Sequence, residues 1–500
     1  MKTKVGSIVL LALAATACGK AFNMDFMPTG MYEAYEGMPS PGGEPGPETP
    51  SGGDSFDTII ENPFVKVADA PSSSFSVDAD GAAYAYMRSC LANGYLPDRN
   101  SVRIEEYLNY FTFDAPEPEG EETLSIGSDM GPCPWKQGHT LLRLFLKGKS
   151  LEESEIPAAN YILLVDVSGS MSGKDRIELL KSGLLNMVDY LRPQDRVSII
   201  TYSGSVKKLL ESTLISEGRE AIKNAIGSLY ASGATAGGEA MKLAYQEAAD
   251  HYIEGGNNRI IMCTDGDFNV GVSSTEELVK MVESYQEKGI YLSIMGFGRG
   301  NYQDSRMENL SNHGNGTYTY IDSEEEMMKV FVLERSHFYS VANDTKCQVR
   351  FNPDVVDSYR LIGYENRVMT AEEFEDSKKD AGEIGAGQSV TALYELVLKE
   401  GLEEGYVAGT FETRYKKSLK DSESRSLTKS LASTCIITPD FTFAAGVAAY
   451  GLVLLNSEYK GEATLEMARS LVQDSITPYD DGSSRFRLIG LINQAMKLQK

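Results

Sequence analysis

Three short stretches of this chain carry oxygen-bearing side chains at spacings that suit a hard cation. In the first, D-V-S-G-S-M, Asp166, Ser168 and Ser170 stand at alternate positions after the apolar run YILLV. In the second, S-G-A-T-A-G-G, Thr235 enters a helical pattern, and in the third, T-D-G-D-F-N-V-G, Asp265 ends an apolar run. One tight turn can aim the three alternate oxygens of the first stretch at a single point. A hydroxyl from Thr235 and a carboxylate from Asp265, direct or through water, complete an oxygen set of the kind that Mg²⁺ takes octahedrally at about 2.0–2.1 Å. Because Ser168, Ser170 and Thr235 are neutral, such a cation stays electrophilic toward one more anionic ligand. Asp267 belongs to the third stretch and suits a supporting role behind the direct ligands.

Other chemistries fit less well. The stretch S-G-S-M-S-G-K-D imitates a phosphate-binding loop, which needs G-x-x-x-x-G-K-[ST]. Ser168 stands at the first glycine position and Asp175 replaces the hydroxyl residue, where its charge repels phosphate, so no nucleotide is expected. The four histidines, His139, His251, His313 and His337, make neither HExxH nor a close metal pair. No G-x-S-x-G nucleophile turn is present. A hydrolytic cation needs a general base, and Asp267 and Glu239 are the candidates, each better read as a solvated or supporting carboxylate. The chain is therefore not expected to be an enzyme. Helix capping accounts for Ser172 or Thr235 singly, but not for five donors arriving from three strand ends.

The elements that must position these donors are legible between Asn160 and about Phe338. Continuous apolar runs (YILLVDVS, RVSIITYS, RIIMCTDG, IYLSIMGFG) alternate with segments of helical spacing, among them RIELLKSGLLNMVDYL and TEELVKMVESYQEKG. That pattern predicts a doubly wound α/β domain with a mainly parallel sheet, in which ligands bind at the carboxyl ends of strands. Beyond Phe338 the pattern changes to strands such as CQVRFN, SVTALYELVL and YVAGTFETRY, and TLSIGSD and TLLRLFLKG before the α/β domain resemble them. An α/β domain inserted in a β-sandwich, with helical segments at both ends, is the expected fold. The expected divisions are a signal peptide over 1–17, a tether over 18–60, two helices and little else over 61–120, and the first sandwich strands over 121–158. The α/β domain follows over 159–338, and the remaining sandwich strands and terminal helices over 339–500. The run FAAGVAAYGLVLL has the length of a buried helix, not of a membrane span. Trp135 reads as a packed β-sandwich residue, Met241, Met327 and Met328 as helix packing residues, and the acidic run from Asp322 opens the last helix of the α/β domain.

Composition sets the outer limits. With 500 residues and 42% hydrophobic side chains, the chain can bury the cores of two or three domains. A net charge of -25 argues against nucleic acid or anionic lipid as the main partner. Lys2 and Lys4 precede a short apolar run ending in A-A-T-A-C, which resembles a bacterial lipobox with Cys18 as the lipidated residue. The Pro- and Gly-rich stretch that follows cannot bury enough apolar surface to order itself. Five cysteines remain: Cys263 reads as a buried thiol, and Cys90, Cys133, Cys347 and Cys435 could pair in three ways.

A D-x-S-x-S turn after a buried strand, followed in order by a Thr and an Asp, resembles the metal-ion-dependent adhesion site of von Willebrand factor A domains. The segments FSVDADGAAYAYMR, VRIEEYLNYF, YRLIGYENR and KKDAGEIGAGQSVTALYE extend the resemblance to the YfbK-like group of bacterial envelope lipoproteins, over most of residues 62 to 497. The resemblance implies that Asp166, Ser168, Ser170, Thr235 and Asp265 coordinate Mg²⁺ or Mn²⁺ and that a Glu or Asp of a partner protein completes the shell. It also implies a lipid-anchored protein of the cell envelope, on the periplasmic or surface face of the outer membrane. In switching members of the family, ligation moves the last helix, here about Ser323 to Phe338. The alternatives are an assembly protein whose metal only stabilises the fold, and a cation-dependent glycan binder.

Overall fold

The computed structural model describes residues 54–499, apart from 234–237, 267–274, 300–303, 434–436, 478–479 and 481–482. Strands β1 (Val65–Lys66) and β2 (Ser72–Ser76) lead into helices α1 (Ala82–Ala92) and α2 (Ile104–Asn109). Strands β3 (Leu124–Pro132) and β4 (His139–Gly148) follow. The α/β domain then runs through β5 (Ala159–Asp166), α3 (Ile177–Tyr190), β6 (Arg196–Tyr202), β7 (Val206–Leu214), α4 (Ile215–Gly227) and α5 (Gly238–Asp250). It closes with β8 (Asn257–Thr264), α6 (Thr275–Gln286), β9 (Ile290–Phe297), α7 (Asp304–His313), β10 (Tyr318–Ile321) and α8 (Glu324–Met328). The chain returns to β-structure in β11 (Ser340–Phe351), β12 (Val356–Ile362), β13 (Val368–Met369), a short α9 (Ala371–Glu375), β14 (Gly382–Gly385), β15 (Ser389–Leu398), β16 (Val407–Lys416) and β17 (Arg425–Ala432). Helices α10 (Pro439–Leu454), α11 (Leu465–Ser475) and α12 (Ser484–Leu498) end it.

The α/β sheet has the order β10-β9-β8-β5-β6-β7, parallel throughout except for the edge strand β7. All residues of β5 and β8 are buried, which is why both strands read as unbroken apolar runs. Successive residues of β5 serve opposite faces. Leu163 and Val165 pack with Leu180 and Leu184 of α3, while Ile162 and Leu164 pack with Met241, Ala244 and Tyr245 of α5. This two-sided burial fixes where β5 and β8 end, and so where Asp166 and Asp265 stand.

The β-sandwich has sheets ordered β1-β12-β15-β4-β3 and β13-β2-β11-β16-β17, built from both flanks of the α/β domain. Residues 61–120, expected to hold two helices and little else, also supply β1 to one sheet and β2 to the other. The sequence S-S-S-F-S of β2 has Phe75 alone as an apolar member; pairing with β11, not hydrophobic alternation, makes it a strand. Helices α1, α2 and α10 to α12 form a further layer with its own core, and α10 is apolar all round because it lies inside that layer. Trp135 is fully buried in this helical core, and its indole N–H donates to Glu395 at 3.1 Å. Among the described residues, no helix is long and apolar enough to cross a membrane.

One expectation is corrected here, and the open question of cysteine pairing is answered for three of the four residues. The last helix of the α/β domain does not run unbroken to Phe338: α8 ends at Met328, a π-helical turn spans Lys329–Leu333, and a 3-10 turn spans Arg335–Phe338. The wider turn keeps Met327 and Phe331 buried against the domain while bringing Phe338 around to the Tyr161 ring, 6.5 Å away. Cys90, Cys133 and Cys347 do not pair; they are buried free thiols, as is Cys263. Their separation is structural, since Cys90, Cys133 and Cys347 belong to three different hydrophobic cores. Cys435 and Cys18 lie outside the described residues.

One buried carboxyl makes a stability prediction. Glu105 of α2 is 1% exposed and neither carboxyl oxygen has a hydrogen-bond partner. Burial, and then the nearby charge of Glu365, push it up to about 8. An acid raised in the folded state loses stability as pH rises from its unfolded value, about 4.3, toward the folded one. Glu105→Gln keeps the shape and removes the charge. Its melting temperature is expected to match wild type near pH 5 and to exceed it at pH 8 to 9; equal melting at both ends would contradict the burial argument.

Candidate metal centre

Strands β5 and β8 are parallel neighbours with Val165 opposite Cys263, so their carboxyl ends deliver Asp166 and Asp265 side by side. The first turn is held by its own side chain: Asp166 Oδ1 accepts the Ser168 backbone N–H at 2.8 Å. That bond folds the turn so that Ser168 Oγ and Ser170 Oγ lie 2.9 Å apart. Adjacent ligands of an octahedral ion with bonds of about 2.0–2.1 Å are also about 2.9 Å apart, so the two hydroxyls have the separation a Mg²⁺ shell requires. Thr264 Oγ1 donates to Asp166 Oδ2 at 3.4 Å and accepts the Gly266 N–H at 3.1 Å. Gly266, at φ 93°, lets the chain turn away immediately after Asp265.

The second stretch is tied to the first through the backbone. Ser232 N–H donates to the Val167 carbonyl at 2.7 Å, and Gly169 N–H to the Gly233 carbonyl at 2.9 Å. Gly233 is two residues before Thr235, which lies outside the described residues, as does Asp267. Four of the expected donors are therefore placed: Asp166, Ser168 and Ser170 share one turn at the end of β5, and Asp265 follows the end of the neighbouring β8. Glu239, weighed as a general base, is exposed on α5.

The electrostatics favour a cation. Asp166 is fully buried and Asp265 is 2% exposed. Burial first, and the Asp265 charge in addition, raise Asp166 to about 6, against the lowering effect of its hydrogen bonds from Ser168. A positive neighbour is Arg176, whose Nε lies 3.9 Å from Asp265 Oδ2 while its Nη2 donates to the Arg299 carbonyl at 2.7 Å. Gly298 makes that approach feasible, since a Cβ there would sit 2.1 Å from Arg176 Nε. Sequence reasoning missed Arg176; a lone arginine before a helix carries no signal that separates it from a solvated charge. A buried pair of carboxylates beside two hydroxyls, with the Arg176 guanidinium 3.9 Å from one carboxylate, is a donor set that fits a divalent ion. Sequence reasoning also missed a separate carboxylate cluster, Asp344, Asp380 and Glu383.

Three family models match in succession: "von Willebrand factor" over residues 50–143, "von Willebrand factor type A domain" over 160–332, and "Uncharacterized protein YfbK, C-terminal" over 336–498. The uncharacterized protein YfbK of Escherichia coli K12 is 37% identical over 451 residues, 84% of this chain and 77% of that protein. Human inter-alpha-trypsin inhibitor heavy chain H3 is 26% identical over 280 residues, 51% of this chain and 31% of that protein. Among solved structures, a von Willebrand factor type A protein from Catenulispora acidiphila aligns with a TM-score of 0.43 and 14% identity, over 73% of this chain and 89% of that one. With its α/β domain between the two flanking matches and its likeness to YfbK over most of its length, the chain belongs to the bacterial YfbK-like von Willebrand factor A proteins.

Proposed function

We propose that the chain is a metal-dependent binding module that captures an acidic side chain of a partner protein. The observation that carries this is the pairing of two buried carboxylates, Asp166 and Asp265, with two hydroxyls 2.9 Å apart at adjacent strand ends. Asp166, Ser168, Ser170 and Asp265, joined by Thr235, would hold Mg²⁺ or Mn²⁺, with Asp267 supporting them. When bound, the ion supplies positive charge for one more oxygen ligand, a Glu or Asp from the partner. Catalysis is not part of the proposal, because Glu239 is exposed and no histidine belongs to the site. The lipobox-like Cys18 would anchor the chain to an envelope membrane, and the Pro- and Gly-rich stretch would give the module reach.

The test is a pull-down from envelope extract with the chain and its Asp265→Ala variant, each in Mg²⁺ and in EDTA, with circular dichroism confirming that both are folded. A partner retained by wild type in Mg²⁺ and lost in the other three conditions is the expected result. Equal retention in all four would transfer the function to the sandwich and helices and leave the metal a structural part. Displacement by acidic polysaccharide but not by acidic peptide would make the ligand a glycan.

A further inference from the structure

A second group of carboxylates lies at the other end of the α/β sheet. Asp344 of β11, Asp380 in the loop after α9 and Glu383 of β14 each place a carboxylate oxygen within 4.8 Å of the others. Asp344 is buried, Glu383 half-buried and Asp380 exposed, so the group is reached from solvent on one side and closed on the other. Asp380 and Glu383 line a cavity of about 430 Å³ between the sandwich and the α/β domain. The lining also includes Arg259, near the amino end of β8, and Asn315, in the turn between α7 and β10. The cavity is thus separate from Asp265, which follows the carboxyl end of β8.

One polar side chain in this cavity points to a ligand independently of the acidic cluster. Asn315 is 1% exposed, and neither its amide oxygen nor its amide nitrogen has a hydrogen-bond partner. Glu383 Oε1 is likewise buried without a partner. Burying such groups unpaired is unfavourable, so something is expected to satisfy them. The nearby cations already hold other partners. Arg367 donates to Asp78 at 2.9 Å and Asn312 at 2.8 Å, and Arg259 to Ser293 Oγ at 2.7 Å and the Phe338 carbonyl at 2.8 Å. Lys416 sits 2.6 Å from Asp344 Oδ2 and offsets one of the three negative charges.

We propose that Asp344, Asp380 and Glu383 bind a Ca²⁺ ion at the junction of the α/β domain and the sandwich, with Asn315 offering an amide oxygen to the same cavity. Ca²⁺ takes six to eight oxygens at about 2.3–2.6 Å in flexible geometry, so opposite ligands stand about 4.6–5.2 Å apart. Oxygens within 4.8 Å of one another can therefore share one such ion as they stand. Because the carboxylates come from the sandwich and Asn315 from the α/β domain, the ion would tie the two together.

The site is independent of the Asp166 centre, and the experiment separates them. Ca²⁺ is titrated calorimetrically into the full-length Asp265→Ala chain, in which the other centre is disabled. One binding event is expected, with a dissociation constant in the range of extracellular modules, about 10⁻⁴–10⁻³ M. Adding Glu383→Gln or Asp380→Asn should weaken it at least tenfold, and Ca²⁺ should raise the melting temperature of the parent but of neither double variant. In EDTA these near-isosteric changes should melt no lower than the parent, since each removes like-charge repulsion; should one fail to fold, the other decides. Absence of Ca²⁺ binding to the Asp265→Ala chain, undiminished binding in a folded double variant, or displacement by equimolar Mg²⁺ would overturn the proposal.

Discussion

Replacing Arg88 with alanine is expected to destabilise the chain by about 3–5 kcal/mol, the range for removing one partner of a buried ion pair. Arg88 of α1 is a fork held on three sides. Its Nε and Nη2 donate to the two carboxylate oxygens of Asp322 at 2.6 and 2.5 Å, and Nη2 also reaches Glu326 Oε2 at 2.6 Å. Nη1 donates to the Tyr110 hydroxyl at 2.7 Å, and that hydroxyl donates to Glu326 Oε2 at 2.8 Å. The side chains of Asp322 and Glu326 are 8% and 2% exposed, so without Arg88 two negative charges remain in a site with little water. Arg88→Lys would preserve the charge but not the planar fork, and should recover only part of the loss. The measurement is the melting transition of the three proteins side by side. An unchanged melt for Arg88→Ala would mean that α1 does not brace the start of α8.

The second large effect concerns the metal centre itself. Asp166→Ala removes a carboxylate that faces the site and also, through its Ser168 bond, sets the turn. Affinity for Mn²⁺ is expected to fall by at least about 100-fold, the upper end of what losing a mere outer-shell partner costs. Ser170→Ala, which deletes one neutral donor, should cost roughly tenfold on the same scale. Stability should divide differently. With the wild type saturated at about 100 times its dissociation constant, metal adds about 2.7 kcal/mol, and Asp166→Ala should lack that gain. In EDTA the variant should melt modestly below wild type, because relief of a carboxylate kept from water is opposed by the loss of the bonds it accepts from Ser168 and Thr264. A variant that melts far below wild type in EDTA would instead make Asp166 a purely structural residue.

How far the molecule was legible depended on how local each signal is. The strands β5, β6, β8 and β9 could be read because helices cover both faces, which forces unbroken apolar runs. The D-x-S-x-S turn could be read because Asp166, Ser168 and Ser170 lie within five residues and fold by a local hydrogen bond. The edge strand β7, V-K-K-L-L-E-S-T-L, alternates poorly and is only half-buried, so pairing with β6 alone defines it. Strand β2, with its four serines, is defined in the same way by β11. The break after Met328 reflects the need to bury Phe331 and Phe338 together, which no helical period encodes. The carboxylates Asp344, Asp380 and Glu383 are dispersed along the chain and meet only because β14 pairs with β11. Nothing in the sequence singles out Arg176 or Arg88, and only tertiary structure sets them against buried acids.

A crystal of the chain soaked in Mn²⁺ and measured for anomalous scattering tests the central claim most directly. A strong peak bounded by the Asp166 carboxylate and the Ser168 and Ser170 hydroxyls, at about 2.0–2.2 Å from their oxygens, is the predicted result. No peak there, with the turn otherwise ordered as described, would contradict metal-dependent binding.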